Sequence, residues 1–507
     1  MDVSGKLKFY DFSGKEHPLA VLPNTSQSQY VRKYLSGLQA QSVIEEPCYF
    51  DRDYLDEFSA FYARSSQGYK NVCSRVHYFG PENVSEEDFE LALGNDDGAV
   101  DKLQRNYLGF SVIRPLVISP LGRTVLALYQ DHNPHERRVV SPARTYSVYV
   151  AGLRLTVEGL AWQQQDTGVA ACATIGLWTM FHSSSFDDHH AIPTTAEITS
   201  SAQLFGRRPF PSTGLTVEQI LEAIHKQNLN PIAVSGDIGE PNGFGKPFSR
   251  QRFANNAAAF IRSGYPILIV GHYENSGGHA ICGVGFREKG LKRADADDPA
   301  KVVMADGEIE YFYIHDDNIG PNIRFRLESV AGDNSAAVLV SSAPEYVDNG
   351  EPSPEVKFFP HMIIAATHQD VRVTADELYV KGLERCSQLH NFLDFVYRAN
   401  ESVAPSLAFS PRFIVLRDYF KEELRNVVPD GVVLSRVRRR LQEQAPPMSL
   451  HVGVIRIALQ SGTVIMDLIY DTTDSGYCMP AFVAVVFDEQ LAQWLKSTNY
   501  QALGFPE

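Results

Sequence analysis

The chain has 507 residues, more than one ordinary hydrophobic core accommodates, so two or three domains are expected. Hydrophobic residues make up 44% of the sequence and charged residues 21%, which is typical of a folded globular protein. The net charge of −15 disfavours non-specific binding to nucleic acid or to an anionic membrane. The one dense basic run, at 436–444, has no interleaved aromatic residues. We therefore expect neither a nucleic-acid nor a membrane partner.

Targeting and cysteine signals favour a cytoplasmic protein without a cofactor or a bound metal. Residues 1–18 contain no apolar stretch of signal-peptide length, and no window holds the roughly 18 apolar residues of a membrane span. The cysteines are sparse and form no CxxC pair, which argues against a disulfide scaffold and against a structural zinc site. They are Cys48, Cys73, Cys172, Cys282, Cys386 and Cys478.

The N-terminal region, residues 1–155, is predicted to be mixed α/β. Apolar residues at helical spacing predict helices, and runs rich in β-branched and aromatic residues between prolines and glycines predict strands. The predicted helices lie at 29–42 and 86–95, and the predicted strands at 107–120, 123–131 and 145–157.

A second region, residues 156–347, has helices first and antiparallel strands afterwards, which is the order of an α+β fold. Its predicted helices begin near 172, 194 and 216, and a further one covers 256–262. Strands follow at 266–273 and 279–288, and the stretch 302–322 holds a strand at 311–314 that ends in a polar turn. The segment 348–356 is predicted to be an exposed linker. Residues 365–507 form a C-terminal α/β region, either a separate domain or a lobe packed on the second region, with a helix at 375–399 and three strands at its end.

Cys172 lies where a polar loop becomes an apolar helix. A helix N-terminus stabilises a thiolate through its positive end and its free N–H groups, and an adjacent protonated histidine stabilises it further. Asp166 and Thr167 are good N-cap residues just before it, and the small residues around Cys172 leave room for a substrate. The alternative is that Cys172 is an ordinary core cysteine in an alanine-rich helix.

Two further stretches supply partners for this thiol. His279 follows two glycines and opens an apolar strand, and Asp316 and Asp317 follow the strand that ends at 314–315. A carboxylate can orient an imidazole and fix its tautomer, so either aspartate is a candidate. A thiol on a helix, a base on one strand and an orienting residue on the next strand is the arrangement that acyl transfer at a cysteine needs. The alternatives are a structural histidine and ordinary turn residues.

With these residues in place, residues 160–330 resemble the papain-like cysteine peptidase superfamily. The closest likeness is to bacterial peptidases that cut double-glycine leader peptides, and to their uncharacterised relatives. The likeness is carried by "QQQDTGVAACATIGLW", by "RSGYPILIV" followed by "GGHAICGVGF", and by "YIHDDNIGP". The resemblance implies an α+β fold with a papain-like core, in which the helical part carries the cysteine and the antiparallel sheet carries the histidine and aspartate. It implies Cys172 as nucleophile, His279 as general base and Asp316 or Asp317 as the orienting residue.

The resemblance also implies a glutamine in the oxyanion hole, six residues before the cysteine. Asp166 occupies that position, so Gln165 and Gln164 are the candidates. The leader peptidases have their cysteine in an Asp-Cys-Gly triplet, whereas this chain has Asp166-Thr167-Gly168 there, and Cys172 lies beyond it. A charged insertion at 287–308 lengthens the segment between His279 and Asp316.

Two other groups are weaker candidates. His182 and the polar run at 187–190 offer metal-ligand types without helical i, i+4 pairing, and a polar loop is the favoured interpretation. His272 is a rival base that lacks the glycine pair found before His279. The predicted function is a cysteine peptidase-like hydrolase acting on a protein or peptide substrate. The alternatives are a transglutaminase-like acyl or amine transferase with the same triad, or an inactive binding module. The flanking regions are expected to select a protein partner or to gate the cleft.

Overall fold

The protein is described from a computed structural model. The described residues are 5–130, 136–166, 171–186, 191–203, 214–239, 243–274, 277–289, 302–330, 336–341, 355–444, 449–459, 461–473 and 481–497. Thr167, the polar run 187–190, most of the insertion at 287–308, most of the linker at 348–356 and Cys478 lie outside them. Helices and strands contribute similar shares, 35% and 34%.

The elements follow one another in three groups. The first comprises β1 (Lys8–Asp11), α1 (Ser26–Gly37), β2 (Ser42–Tyr49), α2 (Arg52–Ala60), β3 (Cys73–Phe79), α3 (Glu86–Leu93), α4 (Asp97–Arg105), β4 (Tyr107–Ile113), β5 (Leu121–Leu126), β6 (Glu136–Val139), β7 (Arg144–Val150) and β8 (Leu153–Gly159). The second comprises α5 (Cys172–Phe181), α6 (Thr195–Ser201), α7 (Val217–Lys226), β9 (Asn230–Ser235), α8 (Arg250–Arg262), β10 (Ile267–Tyr273), β11 (Gly278–Lys289), β12 (Val302–Met304), β13 (Tyr311–Asp316), β14 (Gly320–Ser329), β15 (Ala337–Ser341) and β16 (Lys357–Thr367). The third comprises α9 (Ala375–Arg398), β17 (Leu407–Val415), α10 (Leu416–Asp418), α11 (Leu424–Val427), α12 (Gly431–Gln444), β18 (His451–Leu459), β19 (Val464–Asp471), β20 (Ala481–Val486) and α13 (Glu489–Ser497).

The first group forms an antiparallel sheet in the order β1-β2-β3-β4-β5, and β7 and β8 form a separate hairpin. The chain then runs beside β5 again, because Trp162 pairs with Thr124 in an isolated antiparallel bridge. The N–H of Gln164 donates to the carbonyl of Leu121 at 3.0 Å. The N-terminal sheet thus holds the segment that leads towards Cys172.

The second group contains a closed ring of six antiparallel strands. The order is β10-β11-β13-β14-β15-β16, and β10 pairs with β16 to close it. Strand β9 pairs with Met362–Thr367 of β16, beyond the two residues that pair with β15, and β6 pairs with β11. Helix α5 is buried after Cys172, as expected for a helix that is almost wholly apolar, and α8 is buried from Phe253 to Ile261 although this stretch includes Asn255 and Asn256. Both lie against the ring, and helices α5 to α8 precede β10 to β16 in the chain.

The ring draws on more of the chain than the predicted 156–347 core. Strand β16 lies beyond residue 347, and β6 lies before residue 156. The predicted linker at 348–356 is thus followed directly by β16, the strand that closes the ring. The sequence does not predict this closure. Both strands carry apolar runs that are largely buried, Ile267–Val270 in β10 and Met362–Ala366 in β16, and these runs pair with each other.

The third group forms a sheet in the order β12-β17-β18-β19-β20. Its first strand, β12, comes from the second group and runs parallel to β17. The ring of Phe413 stacks on Phe260 of α8 at 5.7 Å, and Arg262 of α8 donates to the carbonyl of Pro411 on β17 at 3.4 Å. The C-terminal region therefore packs on the second region through α8. No helix among the described residues is both long and apolar enough to cross a membrane.

Ring closure predicts a specific sensitivity at Gly271. A Cβ atom at this position would lie 2.1 Å from the carbonyl oxygen of Phe359 on β16, so the two backbones would have to separate. We expect Gly271→Ala to lower the free energy of unfolding by about 1–3 kcal/mol, the usual cost of overpacking. Thermal and urea unfolding would measure it. Gly243→Ala is the control, because a Cβ there has no neighbour within 4 Å. Equal stability of the two variants would contradict the described closure.

Candidate active site

Cys172 is the first residue of α5, and its side chain is half-buried, whereas the nine residues that follow it in the helix are buried. The N-cap is Ala171, which makes no side-chain cap. Asp166 therefore does not cap this helix, contrary to the sequence-based expectation. The free N–H groups of the first turn consequently remain directed at the space around the thiol.

His279 is the second residue of β11 and lies opposite Gly271 of β10. Its side chain is buried, while Gly277 and Gly278 before it are exposed. The ring Nε2 lies 3.3 Å from Oδ1 of Asp316, which ends the neighbouring strand β13. The ring also shares a hydrogen bond with the Cys172 side chain. Since Nε2 faces Asp316, Nδ1 is the nitrogen left for the sulfur.

Asp316 is held from several sides. Tyr273 donates its hydroxyl to the Asp316 carboxylate, and the N–H of Asn318 donates to Oδ1 at 2.8 Å. The indole Nε1 of Trp162 donates to the Asp316 backbone carbonyl at 2.9 Å. Burial alone raises the pKa of Asp316, but His279 and these donors lower it below its usual value. Asp316 is therefore an ionised, fixed partner for the imidazole.

The pKa of His279 reflects the same pairing. Burial lowers the pKa of the ring, but the charge and hydrogen bond of Asp316, the hydrogen bond with Cys172 and the charge of Asp317 together raise it well above the usual value. The ring therefore stays protonated above pH 6.5, the ordinary value. A protonated imidazole beside a thiol is the arrangement that stabilises a thiolate.

Asp317 lies as close to the ring, with Oδ1 at 3.4 Å from Nε2. It has weaker support, because Oδ2 is buried without a hydrogen-bond partner among the described residues. Burial raises the pKa of Asp317 to about 7, so the side chain is partly neutral at neutral pH. Of the two candidates, Asp316 is the one held by additional hydrogen bonds, and Asp317 is a further carboxyl group at the same nitrogen.

The predicted glutamines are placed differently from each other. Gln164 is buried, accepts the N–H of Leu121 at 3.3 Å and donates to the carbonyl of Ile118 at 3.4 Å. Its side-chain amide therefore binds the backbone at and just before the start of β5. Gln165 is half-buried and precedes the undescribed residues 167–170. Gln163 donates to Glu57 at 3.3 Å.

A buried ionic cluster anchors the loop before Cys172 to the N-terminal region. Arg114 lies 3.1 Å from Glu57 and 4.0 Å from Asp166, and it donates to the carbonyl of Gln164 at 3.0 Å. Tyr62 donates to Asp166 at 2.5 Å. The side chains of this cluster are all buried: Arg114, Glu57, Asp166 and Tyr62. Burial raises the pKa of Glu57 to about 7, although the charge of Arg114 opposes this rise. The flanking region thus contributes to the construction of the site.

The weaker candidates lie in other surroundings. His272 stacks between Phe244 and Phe359 and shares a hydrogen bond with His361 at 3.1 Å, and burial lowers its pKa. No carboxylate among the described residues accompanies it. His182 is buried at the end of α5 and bonds to the Tyr146 hydroxyl at 3.1 Å. Cys282 is fully buried, and burial raises its pKa.

One group within the described part of the chain could hold a metal ion. It consists of His279, Asp316 and Asp317, whose ligand atoms lie within 4.8 Å of one another. This group shares its histidine with the Cys172 pair.

Sequence reasoning missed Tyr273, Trp162 and Arg114. Tyr273 had a usable signal in the sequence. Residues 271 and 273 lie on one face of strand β10, and His279 on β11 pairs with residue 271, so Tyr273 is on the same face as His279. Trp162 and Arg114 reach the site from distant segments and have no local signal.

No model of a known protein family matches the chain, and no curated protein is significantly similar to it. The function is therefore inferred from the geometry of the site.

Arg114 supplies a prediction about the loop. Removing the cation leaves Glu57 and Asp166 buried without a counter-charge, and breaking such a cluster costs about 3–5 kcal/mol. We expect Arg114→Met to lower the free energy of unfolding by this amount and to slow alkylation of Cys172 in the protein that remains folded. Arg105→Met is the control, since Arg105 is exposed. A variant as stable and as reactive as the control would show that the cluster does not hold the loop.

Proposed function

We propose that the protein is a thiol hydrolase that cleaves a peptide or amide bond through Cys172, His279 and Asp316. The observation that carries the proposal is the continuous contact from the thiol to the imidazole and from the imidazole to a buried, ionised carboxylate. A core cysteine needs none of these partners. The papain-like resemblance of residues 160–330 gives the same three residues the same roles.

The reaction proceeds in two steps. The Cys172 thiolate attacks the substrate carbonyl carbon, and the backbone N–H groups at the start of α5 donate to the oxyanion that forms. His279 gives its proton to the leaving amine, and the C–N bond breaks to leave a thioester. A water molecule then attacks the thioester while His279 takes the water proton, and the thiolate leaves.

Asp316 acts on the imidazole throughout. Its ionised carboxylate accepts the Nε2–H, so Nδ1 is directed at the sulfur. The same charge stabilises the imidazolium that pairs with the thiolate. The hydrogen bonds of Tyr273 and Asn318 keep the carboxylate from turning away.

Substrate access is favoured on the glycine side of His279. Gly277 and Gly278 are exposed, and Phe244 lies beside Gly278 with 44% of its side chain exposed. A peptide backbone can approach a strand start that has no side chains, and an aromatic ring can contact the substrate's apolar groups. A protein or peptide substrate fits this arrangement.

The thiolate–imidazolium pair predicts an unusual pH profile of alkylation. An ordinary thiol, with a pKa near 8.5, is less than about 1% ionised at pH 6 and reacts slowly there. Because the raised pKa of His279 maintains the imidazolium, we expect Cys172 to react with iodoacetamide at pH 6 about 10- to 100-fold faster than an unpaired thiol. Peptide mapping by mass spectrometry would follow each cysteine. Cys48 is the internal control, because it is also half-buried.

Variants assign the effect to its partners. We expect His279→Ala to shift the alkylation profile of Cys172 towards that of Cys48. Asp316→Asn would shift it in the same direction by lowering the pKa of His279, and Asp317→Asn would shift it less, because Asp317 is partly neutral at pH 7. If Cys172 reacts no faster than Cys48 in the unaltered protein, the hydrolase proposal is wrong and a binding module is the better description. If the pair is present, a product that incorporates an added amine would point to transfer instead of hydrolysis.

A further inference from the structure

Two carboxylates meet one ring nitrogen at this site. His279 Nε2 lies 3.3 Å from Asp316 Oδ1 and 3.4 Å from Asp317 Oδ1. A single N–H serves one acceptor well, and Asp316 has the additional donors that keep it in place. Asp317 therefore remains as a carboxyl group whose side chain is only 2% exposed and whose Oδ2 has no partner among the described residues. Orientation of the imidazole does not require this second acid.

We propose that His279 Nε2, Asp316 and Asp317 form a binding site for a divalent transition-metal ion such as Zn²⁺, and that the bound ion switches off the thiol chemistry. The regulatory part rests on the proposed function, whereas the binding part does not. Imidazole nitrogen and carboxylate oxygen are both ordinary zinc ligands.

The separations fit tetrahedral coordination. Ligand atoms about 2.1 Å from a tetrahedral ion lie about 3.4 Å from one another. The two distances from Nε2 match this spacing. The ligand atoms of the whole group lie within 4.8 Å, and Asp317 can turn towards Asp316 without breaking a hydrogen bond of Oδ2.

The charges also favour a cation. Two carboxylates and a neutral imidazole carry two negative charges, which a divalent ion neutralises in a buried place. Binding would displace the proton on Nε2 and, where Asp317 is protonated, the proton on that carboxyl group, and both protons would leave to solvent. The ring would then keep one proton on Nδ1 and could not take a second, so it could not act as the acid and base of the hydrolase.

The position of the ion relative to the sulfur is the feature that identifies this site. Because Nε2 faces Asp316 and Asp317, Nδ1 is the nitrogen left for Cys172. An ion on Nε2 would therefore lie on the other side of the ring from the sulfur, with nitrogen and oxygen ligands only. An ion captured directly by the catalytic thiol would instead have a sulfur ligand. The two arrangements differ in the spectrum of bound Co²⁺, because thiolate ligation gives an intense near-ultraviolet charge-transfer band.

The experiment is titration of the purified full chain with Zn²⁺ by calorimetry and with Co²⁺ by absorption spectroscopy, after removal of metal by a chelator. We expect one ion per chain, no sulfur charge-transfer band and equal affinity in Cys172→Ala. Asp317→Asn should weaken binding by at least about 10-fold, a loss typical of disturbed metal sites. Zn²⁺ should also slow alkylation of Cys172 in the unaltered protein and not in Asp317→Asn.

Several outcomes would overturn the proposal. They are no binding to the unaltered protein, a thiolate band that disappears together with binding in Cys172→Ala, and undiminished binding in folded Asp317→Asn. Should Asp317→Asn fail to fold, the comparison between the unaltered protein and Cys172→Ala still decides. Alkylation in the presence of chelator tests the hydrolase separately, so loss of one proposal does not imply loss of the other.

Discussion

Closure of the six-strand ring is the constraint on which the site depends. His279 and Asp316 lie on β11 and β13, which are neighbours in the ring, and Tyr273 lies on β10, on the other side of β11. A closed sheet has no free edge along which a strand can slip, and a slip of one residue would turn each side chain to the opposite face. The pairing of β10 with β16 thus fixes which groups face the imidazole.

The helix that carries Cys172 depends on a second source of order. Its own sequence is almost wholly apolar after the cysteine, so the core holds the helix body. The segment before it is held by β5 and by Arg114, which belong to the N-terminal region. Cys172 is therefore positioned from one part of the chain and His279 from another, and the two meet where α5 lies against β11.

The sequence was informative wherever a local pattern decides the structure. The polar-to-apolar change at Cys172 predicts a helix start, and the glycines before His279 predict an open strand start; the structure has α5 and β11 at these places. The sequence does not decide between Asp316 and Asp317, because the difference depends on Tyr273 and Trp162, which approach Asp316 only in the fold. It also depends on the turn that directs the N–H of Asn318 at Asp316. Helix capping was misjudged because Asp166 is attracted to Arg114 and Tyr62, both remote in sequence. Strand β16 was missed because a polar segment precedes it and its partners lie about 90 residues earlier.

The chain position of β16 has a consequence for synthesis. The ribosome releases β10 and β11 long before residues 357–367, and helix α5 precedes both. Until β16 has emerged, β10 lacks one neighbour and the ring is an open sheet. The thiol, the imidazole and the carboxylate therefore acquire their fixed positions only after roughly the first 370 residues have been made. A growing chain therefore passes through most of its translation before Cys172, His279 and Asp316 are brought together.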